Sequence, residues 1–338
     1  MNPKEKPTTA PPLDGAAQTP TTGVTEKIEK VERCPLCGSR RLSLQFVAHD
    51  TLHGMPGEWG VVACSDCRLM WTSPRPTRET VASFYPEEYQ PHGGHFAPAS
   101  PGDRAPLLRR LAGRVLDPKE VVIPDPHRPR RVLEVGCGSG RVLAELADKG
   151  WDAHGLEPSA AAVATLRAHR DLPVRVGTIE ETTYPSGSFD LIVASMVLEH
   201  LHDPIADVVK LRNWLCPGGH LTGSVPNCAS WEFRFFGAEW FALQLPTHLF
   251  HFTPSTLTLL LEKAGFTHIR IHHQRNVSNL MIHFGRFLEK HRLPSAKIFL
   301  DYPTIGPRAL RLVVRPAASV LAWSRQAGRI SFVAKRSP

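Results

Sequence analysis

No stretch of this chain restricts its fold as strongly as Arg131–Gly140, which reads Arg-Val-Leu-Glu-Val-Gly-Cys-Gly-Ser-Gly. Val132, Leu133 and Val135 form the short apolar run that a buried parallel strand needs. Gly136, Gly138 and Gly140 follow at alternate positions. Without a Cβ they allow a tight turn and let a ligand approach the backbone. Arg141–Lys149 continues with the periodicity of an amphipathic helix, and Gly150 is placed to close it. A strand, a glycine turn and a helix N-terminus together make a nucleotide-type site. It is not the dinucleotide kind, because Arg141 stands where the third glycine of G-x-G-x-x-G would fall.

From 131 onward strand and helix patterns alternate, which predicts an α/β fold with a doubly wound, Rossmann-like seven-stranded sheet. The later strands are expected at Asp152–Leu156, Val174–Val176, Phe189–Ala194, His220–Val225, Phe266–His272 and Arg329–Ala334. Helices are expected at Ala160–His169, from Pro204 to Leu215 with Asp203 as N-cap, and at Ser255–Ala264. Glu157 ends the second strand 17 residues past Gly140, where an acid can accept hydrogen bonds from ribose hydroxyls. Between the last two strands, roughly 55 residues form a helical insertion. Asn279–His291 and Arg308–Arg325 are its helices, the second kinked or split at Pro316.

Several of these segments fit one family in order and spacing. Glu134-x-Gly136-x-Gly138-x-Gly140, Glu157, Phe189-Asp190, Leu198-Glu199-His200 and Pro217-Gly218-Gly219 together resemble class I S-adenosylmethionine-dependent methyltransferases over about 130–270. Ser195–Pro204 is similar to the corresponding segment of methyltransferases of ubiquinone biosynthesis. The resemblance implies S-adenosylmethionine as cofactor. Glu134, Gly136, Cys137, Gly138, Ser139 and Gly140 would hold its methionine part, Glu157 and Pro158 its ribose, and Ile179 and Glu180 its adenine. Ser195 and Met196 would line the site after the fourth strand. Thr178 departs from the pattern, standing where members often carry Asp at the adenine contact.

Ahead of this region lie Cys34-Pro-Leu-Cys37 and Cys64-Ser-Asp-Cys67. Two C-x-x-C knuckles let four thiolates converge on one tetrahedral ion, so Cys34, Cys37, Cys64 and Cys67 are read as a closed, structural Zn2+ site in a zinc ribbon. Strands around Leu42–Ala48 and Trp59–Ala63 would bring the knuckles together. A redox pair is the competing reading, disfavoured by the duplication. The expected organisation is a disordered tail (1–30), the ribbon (31–73), a linker with cap helices (74–130), the methyltransferase-like core (131–274), the helical insertion (275–328) and a last strand (329–338). A basic amphipathic helix at Arg104–Leu116 belongs to the linker.

Charge narrows the partners. The net charge is +8, yet 270–338 alone carries thirteen Lys or Arg against two acids. A basic end suits an anionic partner such as a membrane surface, a nucleotide-linked substrate or RNA, or forms a solvated face. No apolar stretch in the first thirty residues reads as a secretory signal, and no run reaches the roughly 18 apolar residues of a membrane span. The expected setting is therefore cytoplasmic, with peripheral contact at the inner membrane face as an option and homodimerisation as another.

A sulfonium methyl is already activated, so transfer needs chiefly in-line orientation. An oxygen acceptor also gains from a general base, for which His200, His248 and His251 are the candidates. Their alternative is loop orientation or plain core packing. Leu245–Pro254 resembles the acceptor loop of zinc-ribbon methyltransferases from polysaccharide and secondary-metabolite clusters. Tyr85, Tyr89, Trp231 and Trp240 are the candidates for contacting the acceptor. The leading expectation is O- or C-methylation of a small molecule, sugar or glycan. RNA methylation and a non-catalytic cofactor-binding scaffold are the alternatives.

Overall fold

The computed structural model of the chain describes residues 28–51, 54, 57–85, 130–293, 296–300 and 308–337. The helix expected at Arg104–Leu116, Tyr89 and most of the expected tail lie outside the described residues.

The amino-terminal part is all β. Strands β2 (Leu42–Ala48), β3 (Trp59–Cys64) and β4 (Met70–Thr72) form an antiparallel meander, and β1 (Ile28–Glu29) pairs with β5 (Arg75–Pro76). A single 3₁₀ turn, Val81–Phe84, follows at the start of the expected linker.

The larger part is the α/β sheet. Its strands are β6 (Arg131–Val135), β7 (Asp152–Glu157), β8 (Val174–Val176), β9 (Phe189–Ser195), β10 (Leu215–Pro226), β12 (Phe266–His273) and β13 (Arg329–Arg336). They lie in the order β12-β13-β10-β9-β6-β7-β8, with only β13 antiparallel to its neighbours. The chain reverses direction across the sheet between β6 and β9, so a crevice opens at the carboxyl ends of these two strands. Helices α1 (Arg141–Asp148), α2 (Ala160–His169), α3 (Pro204–Trp214) and α5 (Pro254–Lys263) cover the faces; the short α4 (Trp231–Phe236) follows β10. Ser159 and Asp203 cap α2 and α3 through their side chains, as expected of these residue types. The apolar residues of β6 are all buried, Leu133 and Val135 against one helical layer and Val132 against the other.

Four strands were not anticipated: β1, which falls within the expected disordered tail, β4, β5 and one that departs from the α/β part. Phe250–His251 (β11) leaves the α/β part and joins the ribbon sheet, giving the order β11-β4-β3-β2. Phe250 lies opposite Trp71 and His251 opposite Met70. Cys34, Leu36, Leu69 and Trp71 of the ribbon thereby share one core with Ile192, Phe250 and Phe252. Full burial of side chains of this size contributes roughly 2–3 kcal/mol each, so this seam is a strong one. A two-residue strand surrounded by loop residues carries too little periodicity to be read from sequence.

The insertion contains α6 (Val277–Lys290), α7 (Ala296–Leu300) and α8 (Arg308–Trp323). α8 runs through Pro316 as one helix, so of the expected kink or split the split does not occur. Since β12 ends at His273 and β10 at Pro226, both α6 and α4 begin at the carboxyl edge of the sheet. Among the described residues, no helix is long and apolar enough to cross a membrane.

Candidate active site at the carboxyl edge of the sheet

The glycine turn shapes one half of the crevice. Gly136, Gly138 and Gly140 all have positive φ, at 65°, 49° and 75°, a conformation that strains any other residue. At Gly140 space forbids a side chain as well, because a Cβ there would lie 2.3 Å from Leu166 Cδ1. Glu157 reaches back from the end of β7. Its carboxylate accepts hydrogen bonds from the Gly138 N–H (2.9 Å) and the Ser159 N–H (3.0 Å), which ties the turn to the next strand. Cys137 and Ile179 are buried beside it. At the end of β9, Ser195 Oγ is buried with no hydrogen-bond partner among the described residues, and Met196 has φ 57°. An unfilled polar atom and a backbone cradle fit a polar ligand laid across this edge.

Glu134 sits differently from the other donor-side residues. It is buried on the face that carries α1, with a backbone hydrogen bond at Leu143, and burial pushes its carboxyl up to about 8. Arg141 pulls the other way without offsetting this. The acid is thus held under the first turn of α1, where the helix N-terminus favours negative charge.

The other half of the crevice is assembled from four distant segments. His200, in the 3₁₀ turn Leu198–His200, places Nδ1 2.9 Å from the Thr247 carbonyl oxygen and 2.9 Å from Tyr85 Oη. A carbonyl only accepts, so Nδ1 carries the hydrogen and Nε2 keeps a bare lone pair. Burial lowers His200 to about 4, so the ring is neutral at physiological pH. His248 packs edge-on against it at 4.7 Å between ring centres and gives its Nδ1 hydrogen to the Ala242 carbonyl (2.9 Å). Burial, with the neighbouring His200 ring, holds His248 well below the usual histidine range.

Glu199 lies wholly inside this cluster. Neither carboxyl oxygen has a hydrogen-bond partner among the described residues, and burial pushes the group up to about 8. Ligating atoms of Glu199, His200 and His248 lie within 4.8 Å of one another. His251, in contrast, is a fastening. Thr72 donates its hydroxyl hydrogen to the His248 carbonyl (2.7 Å) and so accepts from His251 Nε2 (3.1 Å). Leu249 N–H donates to the Glu199 carbonyl at 2.7 Å, and Thr72 N–H to the Leu249 carbonyl at 3.0 Å. The buried Arg75 donates to the His202 carbonyl at 3.1 Å, and His202 Nε2 to the Pro76 carbonyl at 3.1 Å. Ribbon, post-β9 loop and the 245–252 segment are stitched into one unit.

Residues 107–271 match the family described as "Methyltransferase domain". The match takes in just under half of the chain, which has the α/β fold of such methyltransferases. The chain is similar to the ubiquinone biosynthesis O-methyltransferase of Cereibacter sphaeroides, 30% identical over 158 residues that cover 44% of this chain and 64% of the relative. The enzyme of that name from Acinetobacter baumannii is 30% identical over 151 residues, 41% and 64% of the two chains. This chain thus spans just under two thirds of those relatives' length. Among solved structures, an S-adenosylmethionine-dependent methyltransferase from Archaeoglobus fulgidus is 20% identical with a TM-score of 0.42, covering 68% and 93%.

The crevice residues fit S-adenosylmethionine, the cofactor the resemblance implies: glycine backbone at the turn, Glu157 beside it, and an open polar atom at Ser195. The expected acceptor candidates divide. Tyr85 reaches His200, Trp231 is half exposed on α4, and Trp240 is fully buried, lying parallel to the His283 ring at 6.2 Å.

The four ribbon cysteines come together. Cys34 Sγ lies 3.4 Å from Cys67 Sγ, and Cys37 Sγ 3.5 Å from Cys64 Sγ, with all four within 4.8 Å. Four sulfurs about 2.3 Å from one zinc ion stand roughly 3.8 Å apart, so the donor set fits. Burial opposes ionisation of Cys64, but the backbone N–H groups of Cys67 and Asp66 outweigh it and bring the thiol down to about 7.

Two contributors escaped the sequence reading. Glu199 stood in a quoted motif, but only its burial reveals a carboxyl without hydrogen-bond partners among the described residues. Thr72 had no sequence signal at all; its role follows from the pairing of β4 with β11.

Proposed function

We propose that the methyltransferase domain transfers a methyl group from S-adenosylmethionine to a hydroxyl oxygen of a small-molecule acceptor, with His200 as the base. The neutral His200 ring at the carboxyl edge, its Nδ1 engaged and its Nε2 bare, carries this reading. When bound, the cofactor supplies a methyl already activated on sulfur. Gly136–Gly140 and Glu157 hold it, with Ile179, Glu180 and Ser195 at its flank. Thr247 fixes the tautomer of His200, and Tyr85 fixes its tilt. His200 Nε2 would take the acceptor hydroxyl's proton while the methyl passes to its oxygen from the cofactor sulfur, which would keep the bonding pair and leave as a neutral thioether. Glu199, held uncharged by burial, leaves the ring no carboxylate that would keep the proton. The relatives' names, which specify O-methylation in ubiquinone biosynthesis, support an oxygen acceptor; a sugar, glycan or secondary metabolite meets the same chemistry.

Zn2+ on Cys34, Cys37, Cys64 and Cys67 belongs to this reading as a structural ion. It holds the sheet to which β11 belongs, and so holds the 245–251 segment against His200.

The test is incubation with methyl-labelled S-adenosylmethionine and three acceptor sets: phenols, nucleotide sugars and total RNA. Label on a hydroxylated small molecule is expected, and its loss in His200→Ala with cofactor binding intact confirms the base. Label on RNA overturns the small-molecule reading. Tight cofactor binding with no transfer to any set, phenols and sugars included, favours a scaffold.

A further inference from the structure

The surface of the insertion is unlike the rest of the protein. Ten large hydrophobic side chains are exposed among the described residues, and seven of them lie between 231 and 323. Four of them are joined in two ring pairs. Trp231 and Phe235 of α4 stack at 5.0 Å; Phe284 and Phe287 lie a turn apart on α6, with ring centres at 6.5 Å. Phe235 and Phe287 both line one open cavity of about 510 Å³. The end of α8 joins the same area. The Trp231 N–H donates to the Gln326 carbonyl at 3.1 Å, and Arg234 donates to the Gln326 side chain. Three residues before Gln326 stands Trp323, 88% exposed at the tip of α8, with Val320 exposed one turn earlier.

Cations border this apolar area. Between 277 and 328 there are eight Lys or Arg and two acids, in a chain whose whole excess is +8. Lys290 and Arg286 line the cavity, and Arg292 follows directly after α6; the Glu239 carboxylate there is paired with Lys290. Monomeric proteins rarely expose an apolar area of this kind without an occupant.

Charge decides which occupant. A second copy related by a two-fold axis would set this basic face against itself. RNA would use the cations and stack on the rings, but has no use for exposed Val320 and Leu293. An anionic lipid surface uses all three features: cations for the headgroups, Trp and Phe for the interface, aliphatic side chains for the acyl boundary.

We propose that the α4–α6–α8 face is a peripheral docking surface for anionic membranes. Its helices α4 and α6 begin at the carboxyl edge of the sheet, the edge that carries the candidate active site, so a docked molecule keeps that edge near the bilayer.

Flotation of the full chain with vesicles of phosphatidylcholine alone, or with phosphatidylglycerol added, tests this without any acceptor. Binding is expected only with the anionic lipid, weakening as salt rises. Trp323→Ser and Phe235→Ser are each expected to weaken it tenfold or more. Lys290→Gln with Arg292→Gln is expected to weaken it roughly 25-fold, about fivefold per charge. Unchanged calorimetric binding of S-adenosylmethionine in the same variants shows that they are folded. The proposal is overturned if the chain ignores anionic vesicles at low salt, or if vesicle binding survives all three changes. It is equally overturned if the chain binds RNA but not vesicles, or if Trp323→Ser instead dissociates a dimer seen by sedimentation.

Discussion

The two halves of the crevice are built in opposite ways. The cofactor half is a strand, a turn and a helix contiguous in sequence, Arg131–Asp148, completed by Glu157 nine residues later. The acceptor half draws His200, Thr247 and His248 from the α/β part, Tyr85 from the segment after the ribbon, and Thr72 from the ribbon itself. Its geometry therefore depends on a sheet that crosses from one part of the chain to the other. Damage near the turn should affect cofactor binding, whereas damage in the ribbon should affect the acceptor chemistry at a distance.

The largest expected effect falls on the cofactor half. Gly140→Val puts a side chain at positive φ and against Leu166, and calorimetry should show at least a roughly hundredfold loss of S-adenosylmethionine affinity. Ribbon metal content, read by atomic absorption, should stay the same. If both fell together, the two halves would not be separable.

Ribbon damage makes the complementary test. Chelation of zinc, or Cys37→Ser, should lower methyl transfer by about a hundredfold or more, while cofactor affinity shifts by no more than about threefold. Equal loss of both would sink the distinction.

Within the acceptor half, His200→Gln removes the base while keeping a hydrogen bond to Thr247 within reach. Transfer should fall about 10²–10⁴-fold at unchanged cofactor affinity, the usual weight of a general base. Since His200 titrates near 4, the rate of the parent protein should show no inflection at the ordinary histidine value near 6.5. An inflection there would assign the base to another group. Tyr85→Phe loses only the contact that sets the ring's tilt, and a drop of about three- to tenfold is expected.

The smallest effect concerns stability. Burial lowers His251 to about 3, so between 3 and 6.5 the unfolded chain binds a proton that the folded chain refuses. This contribution is therefore present above 6.5 and is lost as pH falls towards 3. Denaturant unfolding of the parent and of His251→Gln, compared between pH 6.5 and 4, should differ in slope by up to about 1.4 kcal/mol per pH unit. The difference isolates His251 from the buried acids Glu134 and Glu199, whose raised values act in the opposite sense. Parallel curves would show that the ring is not held neutral.

Much of the α/β part was legible in the residues. The expected strands at Asp152, Val174 and Phe189, the cap Asp203, and the final strand appear within one or two residues of their expected bounds. Each is a local matter of apolar runs, turn residues and capping side chains. The pairing of the four cysteines in space was legible for the same reason, since two knuckles on one hairpin have one way to converge. What escaped was non-local. Nothing around Phe250 announces that it will lie opposite Trp71, and nothing in Thr72 announces its hydrogen bonds to the histidine segment.

The sequence by itself determined the nucleotide-type turn, the alternation that builds a parallel sheet, and the four-thiol cluster. Those depend on backbone freedom at glycine, on periodicity, and on spacing within a few residues. Only the tertiary structure decided what the histidines do. His251 fastens β11 to β4 through Thr72, His200 keeps a bare nitrogen at the crevice, and Glu199 is without hydrogen-bond partners among the described residues. Burial and long-range pairing set those roles, and neither can be read from neighbours along the chain.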